Sequence, residues 1–374
     1  MHIGLNLVYL VPGETGGLET YARELIPALV RERPDLRLTA FVSREAAAGD
    51  GPWADLIPSV TLAVRARRRA EWVRGEQQLL PPAAARAGVD VVHSLASTAP
   101  AWGHFRRVVT IHDVIYKRYP EAHFGVRSLA MRLLVPLAAR RAHRIIVPSQ
   151  TTRDDLVDLL SVSEAKIDVV PNGLGAAAAA PLAEDEVRRR HELGTRPVVL
   201  AVSAKRPHKN LQRLLDALAQ IPGERRPVLV VPGYATPHEH ELRGHAARLG
   251  LAGDTRFPAW VPPDELEGLY RAATCVVVPS LYEGFGLPVL ESMARGVPVA
   301  CSDRGALAEV AGGAAELFDP ERPSAMAGAI ERLLSDPQRR DSLRTAGLAR
   351  ASEFSWEATA RATAACYERV LGSS

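Results

Sequence analysis

Two carboxylates stand eight residues apart in the stretch 279–298, PSLYEGFGLPVLESMARGVP: Glu283, just before the turn Gly284-Phe285-Gly286-Leu287, and Glu291. The apolar run Cys275–Val278 ahead of them reads as a buried strand. Pro288 suits the first position of a helix, because the N–H it lacks would have no partner there. Gly296 suits the left-handed residue that ends one. A strand, a glycine turn and a helix in succession leave free N–H groups at the helix start, where an anion is favoured. Carboxylates nearby accept hydrogen bonds from hydroxyls. One short segment therefore offers a seat for a phosphate and acceptors for a sugar, which is the chemistry of a nucleotide sugar.

A second group follows the strand expected at 197–202, in Ala204-Lys205-Arg206-Pro207-His208-Lys209-Asn210. A leaving pyrophosphate gains negative charge as its glycosidic bond breaks, and fixed cations lower that barrier by electrostatics. Lys209 is the leading candidate, and Lys205 or Arg206 could supply a second cation. Gly16 and Gly17 open a helix after the first strand, where backbone can approach a phosphate or an acceptor closely. Their context, Gly13-Glu-Thr-Gly16-Gly17-Leu, lacks the G-x-G-x-x-G spacing, which disfavours a dinucleotide-dependent dehydrogenase. His112 and Asp113 end another strand, and His112 is read as a positioning group rather than a general base. Tyr116, Lys117 and Arg118 follow in an expected acceptor-facing loop. His238-Glu239-His240 reads as a solvated loop, since residues i and i+2 do not share a helix face. No Asp-x-Asp sequence occurs, so no metal or other cofactor is expected.

The Glu-x7-Glu spacing in EGFGLPVLE, Gly16-Gly17, His112-Asp113, VPNG at 170–173 and RPHKN at 206–210 together resemble the retaining glycosyltransferases of family 4, and most closely their mannosyltransferase-like branch. The resemblance spans nearly the whole chain. It implies the GT-B fold, two Rossmann-like domains facing across a cleft. It also implies that Glu283 contacts the donor sugar and Glu291 the ribose hydroxyls, with Gly284, Phe285, Gly286 and Leu287 lining the donor. Lys209 matches the family's phosphate-binding lysine, and His112 a histidine near the donor sugar. The arginine that many members carry five residues before the lysine is here Ala204. Asn172-Gly173 and Glu309 also match family positions, where a turn or helix packing serves as well. The implied reaction moves a hexose, with mannose from GDP-mannose favoured over UDP- and dTDP-sugars, to a hydroxyl of a saccharide, lipid-linked or natural-product acceptor, with retention. A catalytically inactive nucleotide-sugar-binding subunit and a sugar-nucleotide epimerase are the alternatives.

These residues must be held by alternating strands and helices, the signature of parallel α/β sheets. Strands are expected near 2–10, 37–43, 89–93, 107–112, 144–148 and 167–170, then near 197–202, 227–231, 255–257, 274–278, 297–300 and 315–318. Helices are expected over Gly17–Val30, Val126–Arg141, Leu211–Gln220 and Pro263–Ala272. The domains are then 1–175, an acceptor-binding domain, and 197–355, a nucleotide-sugar domain, with a linker at 176–196. The resemblance implies that a last helix, 356–374, returns to the first domain, with Ser355 as its expected N-cap.

A net charge of +3 is too small for a nucleic-acid binder by bulk charge. The cluster Arg65, Arg67, Arg68, Arg69 and Arg74 reads as a solvated loop, with contact to anionic lipid left open. Cys275, Cys301 and Cys366, odd in number and widely spaced, fit buried thiols in a reducing compartment. The start MHIGLNLVYLVPG reads as a first strand rather than a signal peptide. No apolar run approaches the ~18 residues of a membrane span. A cytoplasmic protein is expected, with the inner face of the membrane as a possible docking surface.

Overall fold

The computed structural model describes residues 1–119, 126–175 and 179–372, with the side chains of 126–130 excepted. The chain divides into two compact units, Met1–Gly173 with Phe354–Ser374, and Leu174–Glu353.

The first unit carries strands β1 (His2–Leu7), β2 (Arg37–Val42), β3 (Ser59–Thr61), β4 (Val91–Ser94), β5 (Arg106–Thr110), β6 (Arg144–Val147) and β7 (Ile167–Val169). They form one parallel sheet in the order β3-β2-β1-β4-β5-β6-β7. All six residues of β1 are buried, as expected of a central parallel strand covered on both faces. The short edge strand β3 is half-exposed and lacks a continuous apolar run, so the sequence pattern does not reveal it. The last helix, Trp356–Gly372, packs on this unit through Trp356, Ala360, Ala364, Tyr367 and Val370. Ser355 caps it, its Oγ accepting from the Ala358 N–H at 3.1 Å. Residues 373–374 of the expected last helix lie outside the described residues.

The second unit carries β8 (Val198–Leu200), β9 (Val228–Val230), β10 (Thr255–Arg256), β11 (Cys275–Val278), β12 (Val299–Ser302) and β13 (Glu316–Phe318), all parallel, in the order β10-β9-β8-β11-β12-β13. Its core runs from Val199, Leu229 and Val277 on the sheet to the Leu211–Gln220 and Pro323–Ser335 helices. The expected linker 176–196 differs from expectation: 176–178 lie outside the described residues, and the rest folds as part of this unit. Glu184–Arg190 is a helix whose Val187 is buried, and the Leu182 N–H donates to Asp264 O at 2.9 Å. A charge-dense surface with few apolar residues reads as a linker in sequence, yet buried Val187 and Leu193, with Arg190 and His191 both bonded to Glu265, dock it.

Both sheets reverse their strand order once, between β1 and β4 in the first and between β8 and β11 in the second. Open parallel sheets bind ligands outside the carboxyl ends of their strands at such a reversal. The three cysteines are all buried and unpaired. No described helix is long and apolar enough to cross a membrane.

Candidate functional site

In the second unit, the two segments singled out by sequence leave the carboxyl ends of the two strands that flank the reversal. After β8, Pro207–Lys209 makes a single 3-10 turn that Asn210 closes in the left-handed conformation (φ 59°). The Asn210 Nδ2 donates to Pro279 O at 2.9 Å and Pro320 O at 2.7 Å, which fastens this turn to the segment after β11. The Leu281 N–H donates to His208 O at 2.9 Å and adds a second tie. Lys209 and Glu283 are brought together by these ties: the Nζ lies 2.5 Å from Glu283 Oε1. The same oxygen accepts from Ser280 Oγ at 2.7 Å. Both side chains keep some exposure, 19% and 15%, so a ligand at the sheet edge can reach them.

Phe285 and Gly286 are buried, while Gly284 and Leu287 are half-buried. Gly286 has φ 122° and lies so close to Leu307 that a Cβ would come within 2.9 Å of its Cδ2, which leaves glycine as the fitting residue. The helix Leu287–Ala294 starts there with Pro288 in its first turn, and Gly296 (φ 65°) follows its end. Glu291 points its Oε2 at the Tyr270 hydroxyl, which donates to it at 3.1 Å. Burial raises the Glu291 pKa, opposed by the charge of Arg295. Arg295 is itself held by the Glu267 carboxylate and stacks over the Tyr270 ring at 4.5 Å. Tyr270, Ser280 and Asn210 were not expected as functional. Ser280 lies three residues before Glu283 and could have been read from that spacing, whereas Tyr270 sits in an apolar stripe and looks like core.

Lys205 requires a correction. Its side chain is fully buried, and its Nζ donates to Gly233 O and Pro258 O, each at 2.7 Å, with Glu239 Oε2 at 3.5 Å. An ammonium so committed cannot also reach a diphosphate. The neighbouring Arg206 is half-buried, and its side chain has no hydrogen bond or ion pair among the described residues. Of the two cations Lys205 and Arg206, it is the one whose side chain is not committed to the protein. The His238–His240 segment is likewise not a loop: it begins the helix His238–Arg248, with His238 bonded to Glu241 at 2.8 Å.

In the first unit, Gly16 (φ 62°) precedes the helix Gly17–Glu32, and no atom lies within 4 Å of where a Cβ on Gly16 or Gly17 would sit. This helix start is open. His112 lies just beyond the carboxyl end of β5, its ring edge-on to Tyr21 with centroids 4.8 Å apart. Its Nε2 lies 2.8 Å from Leu95 O. A carbonyl only accepts, so Nε2 must carry the proton, and burial, which lowers the pKa, keeps the ring neutral with Nδ1 free to accept. Tyr116, Lys117 and Arg118 form a short helix, not a loop; Tyr116 is buried and Arg118 pairs with Asp155 at 2.5 Å.

Beneath these residues lies a buried acid that the sequence did not disclose. Glu76 is 1% exposed, on a π-helical turn over Gly75–Leu79. It accepts from Asn6 Nδ2 at 3.0 Å, Thr98 Oγ1 at 2.9 Å and Gln77 Nε2 at 3.2 Å, while burial pushes its pKa up to about 7. Neighbouring Gln77 bonds Ala99 O and the Ala101 N–H, so this turn holds the loop after β4.

Asn172-Gly173 serves the fold. A Cβ on Gly173 would lie 2.3 Å from the Trp356 backbone nitrogen, and Pro171 O accepts from Thr359 Oγ1 at 2.7 Å. Glu309 lies on the Gly305–Ala311 helix, its carbonyl bonded by Arg350 at 3.0 Å. Of the arginine cluster, Arg65 and Arg68 pair with Glu71 and Arg67 with Glu14.

The chain is similar to known proteins in both of its units. The family model described as glycosyl transferases group 1 matches residues 183–350, and that of glycosyltransferase family 4 matches residues 15–176. A D-inositol 3-phosphate glycosyltransferase of Acidothermus cellulolyticus is 32% identical over 97% of this chain and 78% of its own. An O-antigen chain mannosyltransferase B of Escherichia coli is 32% identical over 67% of each. The fold matches sucrose-phosphate synthase of Thermosynechococcus elongatus with a TM-score of 0.80, at 23% identity and 100% coverage of both chains. An Anabaena protein solved with UDP and glucose matches with a TM-score of 0.73, at 22% identity over 99% of this chain and 100% of its own. Two reversed parallel sheets, the two matching family models and a relative 32% identical over 97% of the chain thus place this chain in family 4 of the glycosyltransferases, as an enzyme of the GT-B fold.

Proposed function

We propose that the protein transfers a hexose from a nucleoside diphosphate sugar to a hydroxyl of a saccharide, lipid-linked or natural-product acceptor, with retention at the anomeric carbon and without a metal. The observation that carries this reading is the Lys209–Glu283 pair, 2.5 Å apart at the reversal between β8 and β11. It sets a cation suited to a diphosphate beside a carboxylate suited to sugar hydroxyls. In this reading Lys209 and Arg206 neutralise the charge that grows on the leaving diphosphate. The helix that starts at Leu287 adds its N-terminal dipole. Glu283 accepts from sugar hydroxyls, and Glu291, with Oε2 engaged by Tyr270, offers Oε1 to the ribose.

His112 accepts a hydroxyl proton bond at Nδ1 and orients the sugar, with no proton transferred through its ring. Gly16 and Gly17 give the acceptor or the phosphate a close approach to backbone. The acceptor's proton passes to a donor phosphate oxygen on the same face as the departing diphosphate, which gives retention without a protein base. Positioning and charge stabilisation are then the protein's whole contribution.

Mannose is the favoured sugar, on the likeness to the mannosyltransferase of Escherichia coli. The inositol phosphate relative and the UDP-bound neighbour keep other donors in the test. Thermal unfolding with GDP, UDP, dTDP and their sugars identifies the donor: a ligand at 100 times its Kd adds about 2.7 kcal/mol. The shift is expected with GDP-mannose and is expected to be lost in Glu291→Ala. A shift with UDP- or dTDP-sugars alone overturns mannose but keeps the transferase. Proton NMR of the product then reads the anomeric configuration, an inverted product overturns retention, and activity that EDTA abolishes overturns metal independence.

A further inference from the structure

We propose that Lys205 is a positioning residue for the donor diphosphate, a buried cross-tie that joins the loops after β8, β9 and β10 and thereby presents Arg206 to the ligand. This rests on the donor reading above. Lys205 itself touches no ligand. Its three N–H groups face the Gly233 carbonyl after β9, the Pro258 carbonyl after β10, and Glu239. A lysine with no exposure that binds two backbone carbonyls costs desolvation, which its partners must offset.

The surrounding bonds make the tie two-sided. The Thr236 hydroxyl donates back to Lys205 O. Ser203 N donates to Pro232 O at 3.0 Å. Glu239 Oε1 pairs with Arg243 at 2.7 Å, and Arg243 reaches Phe257 O at 2.9 Å and lies over the Phe257 ring at 5.1 Å. The loops after three neighbouring strands are thus fixed around one ammonium.

The consequence for Arg206 follows from backbone geometry. The Arg206 N–H donates to Ala204 O at 2.8 Å, so Lys205 is the middle residue of a tight turn and its anchored side chain fixes the backbone from which Arg206 leaves. With Lys205 held inward, Arg206 is directed outward, where its side chain meets no protein partner. The inward lysine therefore sets the direction of the outward arginine.

A double-mutant cycle tests this, with isothermal titration of GDP, UDP and dTDP and steady-state kinetics on the intact chain. Arg206→Ala and Lys205→Met are each expected to weaken binding of the preferred nucleotide about tenfold. Lys205→Met should raise KM for the donor with a much smaller fall in kcat. The double variant should bind about as well as the weaker single variant, because both lose one function, and Lys205→Arg should recover part of the affinity. Independent losses that multiply to about a hundredfold would overturn the assignment, since residues without a shared function act additively. If Lys205→Met does not fold, Thr236→Val loosens the same loop and enters the cycle with Arg206→Ala under the same criterion. A folded wild type that binds none of the three nucleotides overturns the donor reading itself, and this inference with it.

Discussion

At the carboxyl edge of the first sheet, the polar side chains are bonded mainly to one another. At that of the second, they are left with capacity to spare. Around β1 and β4, Asn6, Ser94, Thr98 and Glu76 form a closed set, and His93 bonds Tyr367 at 2.7 Å and Thr110 at 2.8 Å. Around β8 and β11, Lys209 and Glu283 hold each other but stay partly exposed, the Arg206 side chain has no partner among the described residues, and Glu291 uses one oxygen on Tyr270. A closed buried network fixes a backbone, whereas an open set of charges is available to a ligand. The first edge commits most of its polar groups to shape, and the second leaves several available to a ligand.

The largest effect that would break this contrast concerns the second unit. Lys209→Ala should lower kcat/KM by about a thousandfold, the scale of losing one preorganised group that faces growing charge. Stability should barely change, because the Glu283 it leaves is partly exposed and still accepts from Ser280. A variant that melts early while keeping its activity would place Lys209 among the structural residues. Glu283→Gln isolates the carboxylate, and both kcat and kcat/KM should fall.

The next effect concerns the closed network. Burial raises the folded-state pKa of Glu76 to about 7, above its ordinary value of 4.5, so the folded state binds the proton more tightly than the unfolded chain does. The stability this contributes is fully present below pH 4.5 and is lost as pH rises through 7. A shift of this size amounts to about 3 kcal/mol. Glu76→Gln, measured by urea unfolding from pH 4.5 to 8, should flatten that part of the profile. Equal pH slopes in wild type and Glu76→Gln would mean that the acid is solvated after all.

Much of the fold and of the second site was legible in the sequence. Buried parallel strands are continuous apolar runs, so every strand but β3 announced itself, and the spacing of Glu283 and Glu291 marked the turn and helix that hold them. What escaped depends on direction rather than type. Adjacent Lys205 and Arg206 are both cations in the sequence, and only the backbone shows that one is turned inward. Glu76 looks like any glutamate of an exposed helix, because a π-helical turn shifts the face that its neighbours predict. The polar bonds that make the first edge closed join residues up to 274 positions apart, as between His93 and Tyr367, and no local pattern encodes them.

His112 sharpens the contrast at a smaller scale, since it stands in the first unit yet keeps one ring nitrogen free. His112→Ala should lower kcat/KM about tenfold, the loss of one neutral hydrogen bond to the sugar. His112 should add no rise or fall to the rate above pH 6.5, because burial lowers its pKa from that ordinary value and favours the neutral ring. A bell-shaped profile that His112→Ala removes would make it an acid or base.

The smallest effect belongs to the helix that closes the first unit. Ser355→Ala removes the bond to the Ala358 N–H and leaves one helix-start donor to water, which costs about 1 kcal/mol. Because that helix buries Trp356, Ala360, Ala364 and Tyr367 in the core of the first unit, the loss should appear as a lower melting temperature. Nucleotide binding should be unaffected if the residues that take the donor belong to the second unit. Weaker binding of the bare nucleotide by Ser355→Ala at a temperature where it is fully folded would show that the nucleotide too depends on the first unit, beyond the contacts proposed for His112, Gly16 and Gly17.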